Sequence, residues 1–255
     1  YRGPYGYDDA DAGRKYADDV KSLIDYATPG KVAAFIAESI QGVGGFVEFP
    51  QGYLKHTYEH VRAAGGVCIA DEVQTGFGRT GKMFAIEHWN VVPDIMTMAK
   101  ALANGTPIGA FITNDKIASS YTRPGASTTG GNPVSATAAL ATINVIEKYQ
   151  LVNKSKDLGS YLKSKLLEIK DKRRLIGDVR GKGLMLGIEL VKDDKSPAIE
   201  EIDNILEGLK DRGILAGKTG VSRNVLTFQP PLVITRDDID RVVDTLDDIL
   251  SGLEK

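Results

Sequence analysis

The sequence predicts an α/β protein, with a mainly parallel sheet flanked by helices and a smaller α+β domain after it. Two observations indicate this fold class. Over residues 1–150, apolar strand-like runs alternate with amphipathic helices, as in layered folds with parallel strands. Over residues 151–255, long charged helices surround one glycine-rich apolar segment instead. We therefore expect two domains with a boundary near residue 150.

The alternation in the first domain can be followed along the chain. In order, the predicted elements are a helix with Tyr16, Val20, Leu23 and Ile24 on one face, a strand over 31–40, a helix over about 52–64, and strands over 67–72, 94–100 and 107–113. The pair Gly65-Gly66 predicts the end of the second helix. Asn132 as an N-cap and Pro133 in the first turn predict the start of another.

The second domain has helix signals of its own. A charged amphipathic helix is predicted over about 154–171, and the segment RLIGDVRGKGLMLGIEL after it predicts a bent strand or hairpin. A further helix, with apolar residues at helical spacing, ends at Gly213. The last helix is predicted to begin at Thr235, because Asp238 three residues later completes a capping-box pattern.

Composition and charge exclude several classes of function. The 255 residues are 42% hydrophobic and 26% charged, as in ordinary soluble globular proteins. The formal net charge is -2, and no basic block suits the backbone of a nucleic acid. No apolar run reaches the roughly 20 residues that a bilayer span requires. We therefore expect no nucleic acid partner and no membrane association.

Cysteine and histidine usage predicts neither a disulfide nor a metal site. Cys68 is the single cysteine. His56 and His60 share a predicted helix face, but no acidic third ligand follows at the spacing of a zinc protease, and His88 stands apart. The default expectation is a cytoplasmic location. Because the sequence begins at Tyr1 without an initiator methionine, we also expect that an N-terminal portion is missing, which leaves an organellar location open.

Charged residues stand where two of the predicted strands end. Asp71 and Glu72 close the run VCIADE, and Lys100 closes the run DIMTMAK. Because the carboxyl ends of parallel strands open onto one crevice, these groups can point into the same site. A lysine and a carboxylate so placed suit pyridoxal 5'-phosphate, since the amine can bond to the cofactor aldehyde and the carboxylate can keep the pyridine nitrogen protonated. Val73 could pack on the ring, and Gln74 could hydrogen-bond its phenolic oxygen.

Each of the remaining candidate groups has two explanations. The segment STTGGNP, residues 127–133, can form an anion site or simply an ordinary helix entrance. Arg180 lies between apolar residues and glycines, where it can bind a substrate carboxylate or form a structural ion pair. Glu38, at the end of the run AAFIAE, is a candidate partner for it. Lys100 taken alone fits a lysine that packs its aliphatic stem at a strand end and keeps its amine in water, and only its combination with the other groups favours a chemical role.

Six segments together resemble the class III aminotransferases, the ω-aminotransferase group of fold type I pyridoxal phosphate enzymes. In chain order they are AAFIAESIQGVGG, GGVCIADEVQTGFGRTG, PDIMTMAKALANGTPIGA, STTGGNP, VRGKGLMLGIEL and LTFQPPLVIT. The resemblance covers nearly the whole chain, and its nearest form is the alanine-glyoxylate aminotransferase 2 type. It implies the fold type I architecture, with residues 1–150 as part of the large cofactor-binding domain and residues 151–255 as the small domain.

The resemblance also implies roles for the cofactor-binding residues. Lys100 would be the Schiff-base lysine, and Asp71 would be the partner of the pyridinium nitrogen. Val73 would pack on the ring, and Gln74 would bond its 3' oxygen. Thr128 would bind the cofactor phosphate of the other subunit, which implies a homodimer.

For the substrate, the resemblance implies that Arg180 holds the α-carboxylate. Glu38 would cover this arginine when the substrate presents a distal amine, and would uncover it for an α-amino acid. The chain departs from the family pattern at Ser39, where related sequences often have proline, and at Thr129, which replaces a frequent aromatic residue. It also lacks the glycine-serine phosphate loop and the ring-stacking aromatic residue that family members carry before the point where this sequence begins.

The implied reaction moves an amino group from an amino acid to a 2-oxo acid. Alanine or an ω-amino acid would be the donor, and glyoxylate or pyruvate the acceptor. The alternatives are an aminomutase or a decarboxylase of the same fold, or a non-catalytic fragment that needs a partner chain. Because a lysine and an aspartate serve all of these pyridoxal reactions, the residues around Lys100 do not choose between them.

Overall fold

The computed structural model describes residues 3–6 and 8–254, and the chain in it folds as two compact units. Unit 1 comprises the chain up to Ser39 together with Phe49–Phe77 and Phe84–Lys148. Unit 2 comprises Ile40–Glu48, Gly78–Met83 and the chain from Tyr149 onward. The last change of unit lies close to position 150. Two short segments that the sequence analysis assigned to the first domain, residues 40–48 and 78–83, belong to unit 2.

The elements have the following bounds. The helices are α1 (Ala12–Ala27), α2 (Tyr53–Ala63), α3 (Asp115–Ala118), α4 (Pro133–Lys148), α5 (Leu151–Lys170), α6 (Ile199–Asp211) and α7 (Arg236–Leu253), and two short 3-10 helices cover Ala85–Trp89 and Lys100–Ala103. The strands are β1 (Ala34–Glu38), β2 (Ile40–Gln41), β3 (Val47–Glu48), β4 (Val67–Asp71), β5 (Ile95–Met98), β6 (Ala110–Thr113), β7 (Ile176–Lys182), β8 (Met185–Leu190), β9 (Gly217–Thr219) and β10 (Val225–Phe228).

Unit 1 is built on a four-stranded sheet in the order β1-β4-β5-β6. The strands β1, β4 and β5 run parallel, and β6 is antiparallel to β5. The helix α2 connects β3 to β4 and packs on the sheet, where its Tyr58 ring meets Phe35 edge-on at 6.4 Å. The predicted mainly parallel sheet with helices is therefore confirmed. The antiparallel β6 follows from a connection that holds only one short 3-10 helix, because a parallel return needs a longer crossover.

Unit 2 contains an antiparallel sheet in the order β7-β8-β10-β9, covered by helices α5, α6 and α7. Of the two predictions for RLIGDVRGKGLMLGIEL, a bent strand or a hairpin, the structure shows the hairpin, β7 and β8, with an irregular register between Ile176 and Asp178. The buried core of this unit consists of aliphatic side chains from both layers. Its fully buried members include Leu166, Leu186, Ile188, Ile202, Ile205, Leu209 and Leu226.

Residues 78–83 are held in unit 2 by close backbone packing and by Arg79. Gly183 has φ +54°, and a Cβ on it would lie 2.4 Å from the Thr80 carbonyl carbon, so this contact requires glycine. The Arg79 carbonyl accepts hydrogen bonds from the Leu184 N–H at 3.0 Å and from Ser155 Oγ at 3.0 Å. The Arg79 guanidinium donates to the Pro230 and Leu184 carbonyls at 2.5 Å and 3.2 Å. These contacts join three distant parts of the chain.

The predicted helix boundaries are set by the caps that the sequence indicated. Thr235 is the N-cap of α7 and forms a reciprocal capping box with Asp238. The Asn132 side chain accepts a hydrogen bond from the Ser135 N–H at 3.0 Å at the start of α4. Gly213, with φ +76°, follows the end of α6. None of the helices in the described part of the chain is long and apolar enough to cross a membrane.

Candidate active site

The carboxyl ends of three neighbouring strands in unit 1 bring the first candidate residues together. In the parallel register, Glu38 on β1 lies opposite Asp71 on β4, and Asp71 lies opposite Thr97 on β5. Adjacent strands are about 4.8 Å apart, and paired residues project from the same face of a sheet. The structure therefore places the two carboxylates side by side at one end of the sheet, both half-buried.

Asp71 is held in a fixed orientation by the turn that follows β4. Its Oδ1 accepts a hydrogen bond from the Val73 N–H at 3.0 Å. The next residue, Glu72, donates its own N–H to the Thr97 carbonyl at 3.0 Å, which continues the sheet pairing beyond the strand. Val73 and Gln74 are half-buried in the same turn. A carboxylate oriented in this way can act as an acceptor for one defined donor.

Lys100 lies two residues beyond the end of β5, on the strand that neighbours Asp71. It is exposed and opens the short 3-10 helix Lys100–Ala103, whose Leu102 and Ala103 are buried. Its φ is +43°, in the left-handed region that residues with a Cβ rarely adopt. Such backbone strain costs on the order of 1–3 kcal/mol and recurs at active sites, although seven other non-glycine residues in the described part of the chain also have a positive φ. The amine is thus presented at the same end of the sheet as Asp71.

Thr128 lies in the loop before α4 and is exposed. In this loop Ser127 Oγ accepts the Gly130 N–H at 2.9 Å, and the Asn132 side-chain amide donates to the Thr129 carbonyl at 3.0 Å. The loop therefore has its own hydrogen bonds and a capped helix N-terminus. Helix α4 packs against the short helix that begins with Lys100, which ties this loop to the strand ends of unit 1.

Arg180 lies in unit 2, on β7, and is almost fully buried. Its Nη1 donates to Glu189 Oε2 at 2.6 Å and to Asp178 Oδ2 at 3.0 Å, and its Nε donates to the Gly45 carbonyl at 2.8 Å. Burial alone would lower the pKa of Arg180, but the hydrogen bonds that it donates to Glu189 and Asp178 outweigh burial and raise the pKa. This geometry is the structural ion pair that the sequence analysis gave as the alternative to carboxylate binding.

Two residues with specific contacts were given no individual role from the sequence, although Glu72 was named beside Asp71 at the strand end. Glu72 is fully buried and accepts four hydrogen bonds from three segments of unit 1. Arg79 is held by backbone carbonyls, and burial lowers its pKa to about 10. Their partners are far away in the sequence, so no local spacing pattern indicates them. The only available signal was an acidic residue directly after Asp71 at a buried strand end.

Comparison with known proteins identifies the family of this fold. The sequence model of the family "Aminotransferase class-III" matches residues 4–250, which is nearly the whole chain. The chain therefore belongs to the class III aminotransferases, as the resemblance implied. Members of this family depend on pyridoxal phosphate.

Two curated proteins that are similar to this chain carry names of the alanine-glyoxylate aminotransferase 2 type. The chain is 51% identical over 256 residues to "Alanine--glyoxylate aminotransferase 2 homolog 2, mitochondrial" of Arabidopsis thaliana, with 99% of this chain and 53% of the relative covered. It is 41% identical over 237 residues to "Alanine--glyoxylate aminotransferase 2, mitochondrial" of Homo sapiens, with 90% and 46% covered. The chain thus spans about half the length of the curated relatives that it matches.

Solved structures of the same fold include enzymes with different reactions. A phospholyase from Arthrobacter in complex with phosphoethanolamine superposes with a TM-score of 0.92 at 33% identity, covering 97% of this chain and 61% of that one. A transaminase with L-alanine superposes with a TM-score of 0.88 at 32% identity, covering 99% of this chain and 57% of that one. These likenesses confirm the fold type I architecture.

Proposed function

We propose that the complete protein is a pyridoxal 5'-phosphate-dependent aminotransferase that acts on an amino acid and a 2-oxo acid. The observation that supports this most strongly is the placement of Asp71 and Lys100 at the ends of neighbouring parallel strands, in a chain of the class III family. An anionic acceptor and an exposed amine at one end of the sheet fit the two ends of a pyridoxal ring. The donor set in unit 1 therefore suits this cofactor.

When bound, the cofactor supplies an electron sink that stabilises negative charge at the substrate α-carbon. Asp71 would keep the proton on the pyridine nitrogen, because an adjacent carboxylate favours the charged form of that ring. The Lys100 amine would first hold the cofactor and then, once released by the incoming amine, carry a proton between the substrate α-carbon and the cofactor C4' carbon. Both roles require the fixed orientation that the turn after β4 and the short helix after β5 provide.

The remaining cofactor contacts follow from the same arrangement. Val73 would pack on the ring and Gln74 would bond its 3' oxygen, since both are half-buried in the turn that holds Asp71. Thr128 would bind the cofactor phosphate of a second subunit, which makes the active form a homodimer. An exposed hydroxyl beside a capped helix N-terminus supports this assignment, because such ends favour anions.

The proposed substrate-binding residues, Glu38 and Arg180, are carried over from the class III aminotransferase pattern. Glu38, beside Asp71, would select between α-amino and distal-amino substrates by covering or uncovering the cationic group that binds the α-carboxylate. Arg180 was assigned to that cationic group by resemblance, and its pairing with Glu189 and Asp178 means that a substrate carboxylate would have to displace one of them. The names of the relatives make alanine and glyoxylate the first pair of substrates to assay.

The experiment that tests this function is reductive trapping of the cofactor. Pyridoxal phosphate is added to the complete protein, the visible spectrum is recorded, and borohydride is used to fix any lysine adduct before peptide mapping. We expect a yellow band that bleaches on reduction and an adduct on Lys100. Lys100→Ala should lose both the adduct and amino transfer, whereas Lys116→Ala, a change of an exposed lysine on α3, should keep both. Undiminished transamination by Lys100→Ala would refute the proposal.

A phospholyase is the second candidate, because one of the similar structures is a phospholyase with phosphoethanolamine. An elimination reaction would use the same lysine and carboxylate, and together with water it would convert phosphoethanolamine into inorganic phosphate, ammonia and acetaldehyde instead of transferring the amine. Incubation with phosphoethanolamine and with L-alanine plus glyoxylate separates the two. Phosphate release without consumption of the 2-oxo acid would favour the lyase, and formation of glycine from glyoxylate would favour the aminotransferase.

The cytoplasmic location remains a prediction. The names of the Arabidopsis and human relatives place those proteins in mitochondria, which makes that organelle the specific alternative. Fractionation of cells that express the complete, tagged protein would distinguish the two compartments.

A further inference from the structure

Glu72 is a buried carboxylate whose four lone-pair positions are filled by neutral donors. It is 0% exposed at the end of β4. Its Oε1 accepts hydrogen bonds from Ser39 Oγ at 2.6 Å and from the Ile86 N–H at 2.7 Å. Its Oε2 accepts from Thr75 Oγ1 at 2.5 Å and from the Ala85 N–H at 3.0 Å. Two hydroxyls and two backbone N–H groups thus hold this charge.

These bonds join three segments of unit 1 that are separate in the sequence. Ser39 follows β1, Thr75 lies in the turn after β4, and Ala85 and Ile86 begin the 3-10 helix Ala85–Trp89. The backbone of Glu72 adds two further bonds, since its N–H donates to Thr97 and its carbonyl accepts from the Gly76 N–H, both at 3.0 Å. The side-chain and backbone hydrogen bonds of Glu72 therefore fix the turn that begins directly after Asp71.

We propose that Glu72 is a positioning residue for Asp71. Glu72 holds the turn after β4 so that the Asp71 carboxylate faces the pyridine nitrogen of the bound cofactor. This role rests on the proposed function. The Val73 N–H in the same turn binds Asp71 Oδ1, so a displaced turn displaces the carboxylate directly. Ser39 contributes one of the four hydrogen bonds to the Glu72 carboxylate, through a hydroxyl that a proline at the same position would not supply.

Glutamine cannot replace Glu72 without loss, although it has nearly the same shape. Each oxygen of Glu72 receives one hydroxyl and one backbone N–H. A hydroxyl can rotate and become an acceptor, but a backbone N–H cannot. Either orientation of a glutamine amide therefore places its NH₂ group against the N–H of Ala85 or Ile86. Glu72→Gln should consequently loosen the turn, whereas Thr75→Val removes one hydroxyl and leaves both backbone bonds.

The test is a double-mutant cycle on cofactor binding in the complete protein. We would titrate the cofactor-free protein with pyridoxal phosphate for Asp71→Asn, Glu72→Gln, both changes together and Thr75→Val, and follow the pH dependence of the bound cofactor's visible band. Glu59→Gln, an exposed glutamate on α2, is the matched control. Circular dichroism at the titration temperature selects the variants that are fully folded.

If Glu72 acts through Asp71, its replacement should weaken cofactor binding by roughly tenfold or more, as expected for an outer residue that orients a binding group. Thr75→Val should have a smaller effect in the same direction, and Glu59→Gln none. The double variant should bind no more weakly than Asp71→Asn, because the carboxylate that Glu72 positions is already gone. The pH dependence of the visible band should shift in the same direction for Asp71→Asn and Glu72→Gln.

The contrary outcomes can be told apart. Unchanged cofactor binding in Asp71→Asn would refute the proposed function and the role of Glu72 with it. A clear loss in Asp71→Asn with no loss in Glu72→Gln, or losses that multiply in the double variant, would leave the function standing and overturn the positioning role. If Glu72→Gln does not fold, Thr75→Val and Ser39→Ala decide, and unchanged binding in both would overturn it.

Discussion

Arg180 donates a hydrogen bond to Glu189 across the β7-β8 hairpin at 2.6 Å, with the side chains only 8% and 10% exposed. Asp178 is the second carboxylate on the same nitrogen, at 3.0 Å. A buried cation between two acids costs little only while all members are present, because each charge compensates the desolvation of the others. Removing the cation would leave two carboxylates in a nearly dry site.

Arg180→Ala should therefore destabilise the protein strongly, by about 3–5 kcal/mol in urea unfolding. Arg174→Ala is the control, because that arginine pairs with Asp193 at 3.5 Å on the surface and should cost at most about 1 kcal/mol. If Arg180→Ala instead kept its stability and only raised the KM for amino acids, the substrate role implied by the family resemblance would be the correct one.

The lowered pKa of Glu48, in unit 2, predicts that the stability of the protein depends on pH. Burial by itself would raise the pKa of Glu48, but hydrogen bonds from Lys182 at 2.8 Å and from the Gly181 N–H at 2.8 Å outweigh burial and hold the pKa below its ordinary 4.5. The carboxylate therefore stabilises the fold above about pH 4.5, and this stabilisation is lost as the pH falls through the lowered pKa.

The urea midpoint of Glu48→Gln should fall less between pH 5 and pH 3 than the midpoint of the parent protein does, because one of the carboxylates with a lowered pKa is gone. Glu168→Gln, which alters an exposed partner of Lys165 at 3.8 Å, should leave the pH dependence of the parent intact. Parallel curves of midpoint against pH for Glu48→Gln and the parent would show that this ion pair does not contribute.

Cys68 should be unreactive in the folded protein. It is 0% exposed on β4, and burial raises the pKa of its thiol to about 11. At pH 8 only about one thiol in a thousand is then ionised, and the thiolate is the reactive form. We expect negligible labelling by iodoacetamide at pH 8 and complete labelling after unfolding in guanidinium. Rapid stoichiometric labelling of the folded chain would contradict the burial of this strand.

Thr128 offers a direct test of the proposed homodimer. Thr128→Ala should weaken cofactor retention by roughly tenfold or more, because a hydrogen bond to a charged phosphate contributes about 1.5–3 kcal/mol. The fold should not change, since Thr128 is exposed, and Thr122→Ala in the same loop region should have no effect.

Mixed dimers decide whether Thr128 acts across subunits. When Thr128→Ala subunits are combined with Lys100→Ala subunits, a cross-subunit arrangement restores one complete site in each mixed dimer, built from Lys100 of one chain and Thr128 of the other. Tight cofactor binding should then return to half of the sites in those dimers. A mixture that binds no better than the separate variants would place Thr128 at its own subunit's site or at none.

Much of the fold was predictable because its signals are local. The capping box of Thr235 and Asp238, the glycine stop after α2 and the apolar alternation of β4 each lie within a few neighbouring residues. The strands β2 and β3 were missed because two residues carry no periodicity. The placement of residues 78–83 in unit 2 was missed because it depends on Gly183 against Thr80, a contact across about a hundred residues.

The residues of the candidate site likewise fall into those that the sequence could predict and those that it could not. Asp71 and Lys100 could be proposed from strand ends, because parallel pairing alone brings such ends together. Glu72 could not be assigned, since its partners at Ser39, Thr75 and the start of the 3-10 helix converge only in the folded unit. The ion pairing of Arg180 depends likewise on which strand folds beside β7.

The left-handed backbone at Lys100 has a consequence for engineering. Glycine fits φ +43° without steric cost, so Lys100→Gly should relieve strain that any side chain at this position imposes. A selection for heat resistance alone would therefore favour glycine here and discard the amine on which cofactor attachment is proposed to depend. Improved variants of this protein should be screened for turnover and thermal tolerance together. At position 100, glycine is expected to favour stability, whereas lysine is expected to be required for activity.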